Sequence, residues 1–311
     1  MKFILTSITV LICFNSNAQK NKYYDLNWKP SSVANARFYS KILKADSGWY
    51  RQDYFFANNT LQMTGLFEDQ DCLIENGYFK FYYLGGIPES MGRYVHGKKE
   101  GLWLHFYPYG VMKDSTEYIN GKPAGTALKW YQNGNLGDSA VYNADGTALE
   151  IQWDSRGNLS GAGRLKDGKL NGPWQFFYNN GRLAARESYD TGKLLSREYY
   201  DKEGNLEDTA SKDRMAMFPG GINAWGKFIA NKIIDPNTYD VNTAYHITML
   251  ISATIDEDGN IIEPYISVPY DNNFDKKALQ IFYESPKWLP AIKHNRPVVS
   301  LVSQPVSFEV R

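Results

Sequence analysis

The residue types able to do chemistry are few and spread along the chain. The four histidines are His96, His105, His246 and His294. No two stand at i, i+4, the spacing that puts a pair of metal ligands on one helix face. His96 and His105 fall in one stretch and are placed to approach each other, although solvated or packed imidazoles account for them equally. Asp256-Glu257-Asp258-Gly259 has the acids of a calcium loop, but its glycine stands fourth rather than sixth. A turn explains Gly259 better. Glu187 and Glu198 are the residue type that glycosidases pair, yet their regular placement predicts a solvated face. The stretch Gly157 to Gly168 precedes no helical pattern, so it is no phosphate loop. These residues predict a protein with no catalytic residue, no metal and no cofactor.

Composition narrows the classes further. Lysine plus arginine equals aspartate plus glutamate, at 34 each, which offers no electrostatic case for nucleic acid or an anionic membrane. Aromatic residues make up 15% of the 311, a composition that favours β-structure with aromatic faces. Met1 to Ala18 reads as a secretory leader, with Lys2 at its start, an apolar run from Phe3 to Phe14 and small residues before Gln19. That run has 12 residues, against roughly 20 for a membrane span. Two alternatives stand: lipidation at Cys13, where Ile12 fits poorly, and retention of the segment as an anchor. With the leader removed, only Cys72 remains, so no disulfide forms within the chain. A buried thiol is expected there, because no neighbouring base is evident.

The elements that position these residues repeat. Gly97 to Gly110 reads GKKEGLWLHFYPYG, Gly121 to Gly134 reads GKPAGTALKWYQNG, and Gly168 to Gly181 reads GKLNGPWQFFYNNG. The closing glycines Gly86, Gly110, Gly134, Gly157, Gly181 and Gly204 are 24, 24, 23, 24 and 23 residues apart, the mark of a repeat architecture. An aromatic run such as Trp174 to Tyr178 suits a strand. Asn133-Gly134 and Asn180-Gly181 suit type I′ hairpin turns. Each unit predicts one β-hairpin that must stack on its neighbours to cover an aromatic face. Trp103, Trp130, Trp153 and Trp174 fall at near-equivalent positions. They predict a shared core stripe or, as the sharper reading, an exposed row that stacks on a glycan or on partner side chains. The units resemble MORN-type repeats in a variant form, and the resemblance implies a fold and a binding habit but no chemistry.

The organisation expected is therefore a leader at 1–18, an N-terminal segment with a degenerate capping repeat at 19–76, hairpin repeats at 77–208, a linker at 209–217 and a second domain at 218–311. The pattern changes in that last part. Ile222, Trp225, Phe228 and Ile229 have helical spacing. Ile247 to Ile255 alternates as a strand, and Ile262, Pro264, Ile266 and Val268 alternate again across a turn at 256–260. Phe274, Ala278, Ile281 and Phe282 predict an amphipathic helix. Val298 to Val310 predicts a final strand, with Pro305 marking an edge or a bulge. The fold class expected is a mainly β repeat array plus a small α+β domain.

This order of elements resembles the C-terminal domain of TonB. Pro219, Gly220 and Gly221 match its opening, Gly259 its central hairpin, and Pro286, Trp288 and Pro290 the segment after its helix. The resemblance implies partner binding by strand addition at the last strand. The residues expected to do so are Val298, Val299, Ser300, Leu301, Val302, Ser303 and Gln304. The partner implied is an envelope protein, such as an outer-membrane receptor of the TonB-dependent kind. TonB itself has a membrane anchor and a proline-rich spacer. Here a cleavable leader and hairpin repeats stand in their place, so no integral membrane segment is expected after export. The reading is of an exported, periplasmic or outer-membrane-associated interaction protein. The alternatives are a TonB-type energy transducer and an envelope glycan-binding or glycan-acting protein.

Overall fold

The computed structural model describes residues 21–207, 212–232 and 246–309. The expected leader, residue 208 at the end of the expected repeats, residues 209–211 of the expected linker and Val310 lie outside the described residues. The first part is one antiparallel sheet of fifteen strands joined in sequence order. Its strands are β1 (Lys22–Tyr24), β2 (Phe38–Ala45), β3 (Gly48–Phe55), β4 (Leu61–Phe67), β5 (Gly77–Tyr82), β6 (Pro88–Val95), β7 (Lys98–Phe106) and β8 (Met112–Ile119). They continue as β9 (Lys122–Trp130), β10 (Leu136–Tyr142), β11 (Thr147–Trp153), β12 (Leu159–Lys166), β13 (Lys169–Phe177), β14 (Leu183–Asp190) and β15 (Lys193–Tyr199). The stacked-hairpin array read from the glycine period is thus the observed one.

The turns differ from expectation in an informative way. At Asn180-Gly181 only the glycine has positive φ, at 80°. The Gly181 N–H donates to Tyr178 O and the Asn180 side chain accepts from the Arg182 N–H. This is a type I turn followed by a left-handed glycine, not type I′. The two-residue turns with positive φ at both positions occur at the opposite ends of the strands, as at Asp167-Gly168 and Thr191-Gly192. There the twist of a tight two-residue hairpin demands it.

Two tryptophans fill the array. Trp103 is 1% exposed and Trp174 is fully buried, and each indole N–H donates to a backbone carbonyl, of Arg93 and Arg164 respectively. Each ring lies over a glycine on the neighbouring strand. A Cβ on Gly163 would come within 2.3 Å of the Trp174 ring, so only glycine admits the indole there.

The C-terminal part is built from α1 (Gly221–Lys232), β16 (His246–Ile255), β17 (Ile261–Val268), α2 (Asn272–Tyr283), β18 (Ala291–Lys293), β19 (Arg296–Val298) and β20 (Ser300–Glu309). Its sheet has the order β17-β16-β20, all antiparallel. Met249, Ile251, Ala253 and Ile255 are fully buried against Trp225, Phe274, Ala278, Ile281, Phe282 and Trp288. The alternation read along β16 holds from Met249 onward, the Ile247 side chain lying outside what is described, and the stripe read along α2 holds. Ile222 departs from the stripe expected of α1 and is 72% exposed in the helix's first turn.

Two further expectations are corrected. Ile262, Pro264, Ile266 and Val268 do not share one face. The register of β17 against β16 shifts between Leu250 and Ile251, so Ile266 packs into the helix-side core while Val268 packs on the opposite face. An extra residue in a strand flips everything beyond it. The final strand also does not begin at Val298. Val298 ends β19, which pairs with β18 in a separate hairpin, and β20 starts at Ser300.

Candidate functional site

The site lies where the C-terminal part meets the array, and three contacts fix it. At one end the Arg37 guanidinium donates to the carbonyls of Thr248 and Pro269 and sits 5.1 Å from the Tyr270 ring centre. Near it, Val268 and Leu250 join Phe38, Phe55 and Leu84 in one apolar cluster.

The second contact arises from a break in a repeat. Tyr83, Tyr107 and Tyr131 each donate a hydroxyl to a carbonyl of the next unit (Phe106, Trp130 and Trp153) at 2.8 to 2.9 Å, and Tyr178 does the same to Tyr200. At the position between Tyr131 and Tyr178 stands Asp154. It accepts instead from the N–H groups of Arg156 and Asn158, holding a tight turn. Onto that turn docks the 256–260 turn of the C-terminal part. Glu257 accepts from the Ser155 N–H at 3.1 Å and hydroxyl at 2.8 Å, and Asp258 pairs with Arg156.

The third contact is the tip of the β18–β19 hairpin. His294 and Asn295 both have positive φ. The His294 ring stacks on Phe176, with centres 3.7 Å apart, and its Nδ1 lies 2.8 Å from Glu187. Asn295 Nδ2 lies 2.9 to 3.0 Å from Tyr178 Oη, Tyr200 O and Glu207 Oε2. The solvated face expected for Glu187 is therefore corrected: it is 3% exposed. Burial raises its pKa, but the His294 hydrogen bond and charge and the Tyr189 hydroxyl outweigh this and leave it below the usual carboxylate value. Glu198 is exposed and pairs with Arg186.

Between these contacts lies a cavity of about 1000 Å³. Its array wall includes Trp130, Tyr131 and Trp153; its other wall includes Arg214, Arg296 and residues 298–302. Of the residues expected to bind a partner, Val298, Val299, Ser300, Leu301 and Val302 line this cavity, whereas Ser303 and Gln304 continue β20 beyond it. β20 is the outer strand of its sheet, as Pro305 suggested. Val302 turns into the core at 7% exposure and Leu301 is exposed.

Three buried polar atoms on this wall have no hydrogen-bond partner among the described residues: Arg214 Nη1, Arg296 Nε and Ser300 Oγ. Burial pulls the Arg296 guanidinium below the usual arginine value, while Tyr131, Glu257, Asp138 and Asp154 nearby favour its charge.

The other sequence candidates are structural. Trp288 is 3% exposed and packs on Phe218, Trp225 and Phe282. A Cβ on Gly259 would stand 2.0 Å from Trp288 O, and the Trp288 N–H donates to Gly259 O. Gly220 and Gly221 have positive φ where the chain enters α1, beside Pro219. Pro286 and Pro290 flank Trp288 on the return from α2. Arg214 and Met217, at the end of the expected linker, exchange backbone hydrogen bonds with Ile292 and Leu289.

His96 pairs with Glu68, and His105 with Asp114 at 2.6 Å, so each takes its own carboxylate. The His246 side chain lies outside what is described. Among the described residues no group of three or more potential ligands could hold a metal ion, and no helix is long and apolar enough to cross a membrane. Cys72 is 6% exposed, and burial raises its thiol pKa.

The four tryptophans are not equivalent. Trp103 and Trp174 stand six residues after their opening glycines and are core. Trp130 stands nine after Gly121 and, like Trp153, is half-buried on the cavity wall. Sequence reasoning missed Arg214, Arg296, Ser155 and Glu257 as site residues. The available signal was the aspartate at position 154, inside a tyrosine series that runs Tyr83, Tyr107, Tyr131 and Tyr178 and ends in a second aspartate, Asp201.

No family model matches the chain, and no curated protein does. Fold and site define a hairpin-repeat array that holds a small α+β unit at three contacts, with one strand of that unit at the border of its sheet.

Proposed function

We propose that this is an exported, non-enzymatic interaction protein of the bacterial cell envelope. Its C-terminal part, read as TonB-like, takes up partner segments by strand addition at β20. The MORN-like array is the scaffold that holds and shapes that edge. The observation that carries this reading is the position of β20 at the border of its sheet, with one row of backbone groups unpaired by any described strand. Such a row binds an extended segment through main-chain hydrogen bonds.

Pro305 tells which residues face outward. It sits in an uninterrupted register opposite Leu250, and a proline leaves such a ladder intact when its nitrogen points to the open side. By alternation Leu301 and Ser303 also present their backbone groups outward. Ser303→Pro therefore removes an outward donor and leaves the backbone ladder to β16 in place, losing the hydroxyl contact to Ser252, which keeps that to Ser267. The test is a photoreactive residue at Leu301 in cells, followed by mass spectrometry. An envelope protein captured at Leu301 and lost with Ser303→Pro is the expected result. A crosslink pattern unchanged by Ser303→Pro would reject strand addition.

A further inference from the structure

We infer that the cavity captures the free C-terminal carboxylate of an extended peptide lying antiparallel on β20. The inference rests on the strand-addition reading above and adds the chemistry of the peptide's end.

Chain direction comes first. β16 runs antiparallel to β20, with His246 opposite Glu309 and Ile255 opposite Ser300. A second strand laid antiparallel on the open side also begins near Glu309 and ends near Ser300. Its last residue then enters the cavity, which residues 298–302 line.

The unmet groups there are of one kind. Arg214 Nη1 and Arg296 Nε are donors, Ser300 Oγ can donate, and all three are buried without a partner among the described residues. Arg296 is only 8% exposed. A buried unpaired donor costs stability until something accepts from it. The acids nearby are already engaged. Asp138 takes Lys129, Asp114 takes His105, Glu257 takes Ser155, and Asp213 accepts from the His294 N–H. The described lining carries five lysines and arginines against four carboxylates. The three unmet donors lack an acceptor, and a carboxylate supplies two oxygens suited to guanidinium donors. A volume of about 1000 Å³ leaves space for the terminal residues that bring it in.

The test uses the full chain and a randomised pool of N-terminally labelled hexapeptides, made once as free acids and once as amides. Retained peptides are quantified by mass spectrometry. The expected result is retention of the acids over the matching amides by about tenfold, the weight of one charge-assisted contact. Arg214→Gln and Ser300→Ala should bring the ratio close to one while the thermal transition stays in place. Ser303→Pro should remove both forms. Equal retention of acids and amides, lost with Ser303→Pro, would overturn carboxylate capture and leave strand addition standing. Acid retention that survives Ser303→Pro would overturn the antiparallel register. No retention of either form would overturn strand addition and this inference with it.

Discussion

Trp174 and Trp130 have the same side chain and opposite roles. Trp174 is fully buried over Gly163, with its N–H satisfied. Its truncation to alanine should cost about 3–5 kcal/mol, read as a drop in the urea midpoint. Trp130→Ala, on a half-buried wall, should cost well under half of that.

Asp275 is the residue where pH acts most clearly. Burial raises its carboxyl from 3.8 to about 6. Its folded pKa thus lies above the unfolded one. The stability it contributes is complete below about pH 4 and is lost as pH rises through about 6. Asp275→Asn keeps an acceptor for the Tyr270 N–H and should flatten the fall in stability across that window, measured by denaturant titration at a series of pH values. Glu187 acts in the opposite sense. Its depressed pKa makes its pairing with His294 fail as pH drops below the ordinary carboxylate range.

Among elements, the β18–β19 hairpin matters beyond its size. Its tip fills a gap between Tyr178, Tyr200 and Glu207, and the Asn295 amide is the shared donor. Asn295→Gly preserves the left-handed turn, since φ is 61°, and removes the amide. The expected loss is about 1–3 kcal/mol of docking, from partners left unsatisfied. Hydrogen exchange should quicken in residues 291–298 while the array's central strands keep their protection. Unchanged exchange would mean that the ring stack of His294 on Phe176 holds the tip alone. This element was not legible beforehand. Residues 291–297 carry no clear period, and Val298 and Val299 read as the start of the last strand. Only their pairing with each other separates them from β20. By contrast, β16 and α2 were legible, because Met249 to Ile255 and Phe274 to Phe282 each bury one face at the period of their element.

At the scale of the molecule, the C-terminal part touches Arg37, the residue before β2, and β14 through Glu187. Fifteen strands about 4.8 Å apart would span on the order of 70 Å if laid flat. A unit the size of the C-terminal part is on the order of 30 Å across. The sheet must therefore curl so that distant strands reach the same small body. Strand twist allows this, and the contacts at Arg37, Ser155 and Asn295 hold it. A variant combining Arg37→Ala, Glu257→Ala and Asn295→Gly should let the C-terminal part swing away. Small-angle scattering should then show a larger radius of gyration, with the far-ultraviolet circular dichroism kept. An unchanged radius would place the holding energy in the apolar cluster around Phe38 and Val268.

What the sequence determined by itself is periodic. The glycine spacing sets hairpins in order, and alternation or helical spacing sets the elements after Met217, because local backbone and burial preferences repeat along the chain. The turn class at Asn180-Gly181 and the non-equivalence of Trp130 and Trp174 escaped it, since both depend on a few residues of register. Tertiary structure alone decided what surrounds Ser300 in the site. Arg214, Arg296, Ser155 and Glu257 come from separate elements and carry no shared motif. Their meeting depends on how the array curls and where the break at Asp154 admits the 256–260 turn, which is a matter of packing between elements rather than of any one element's pattern.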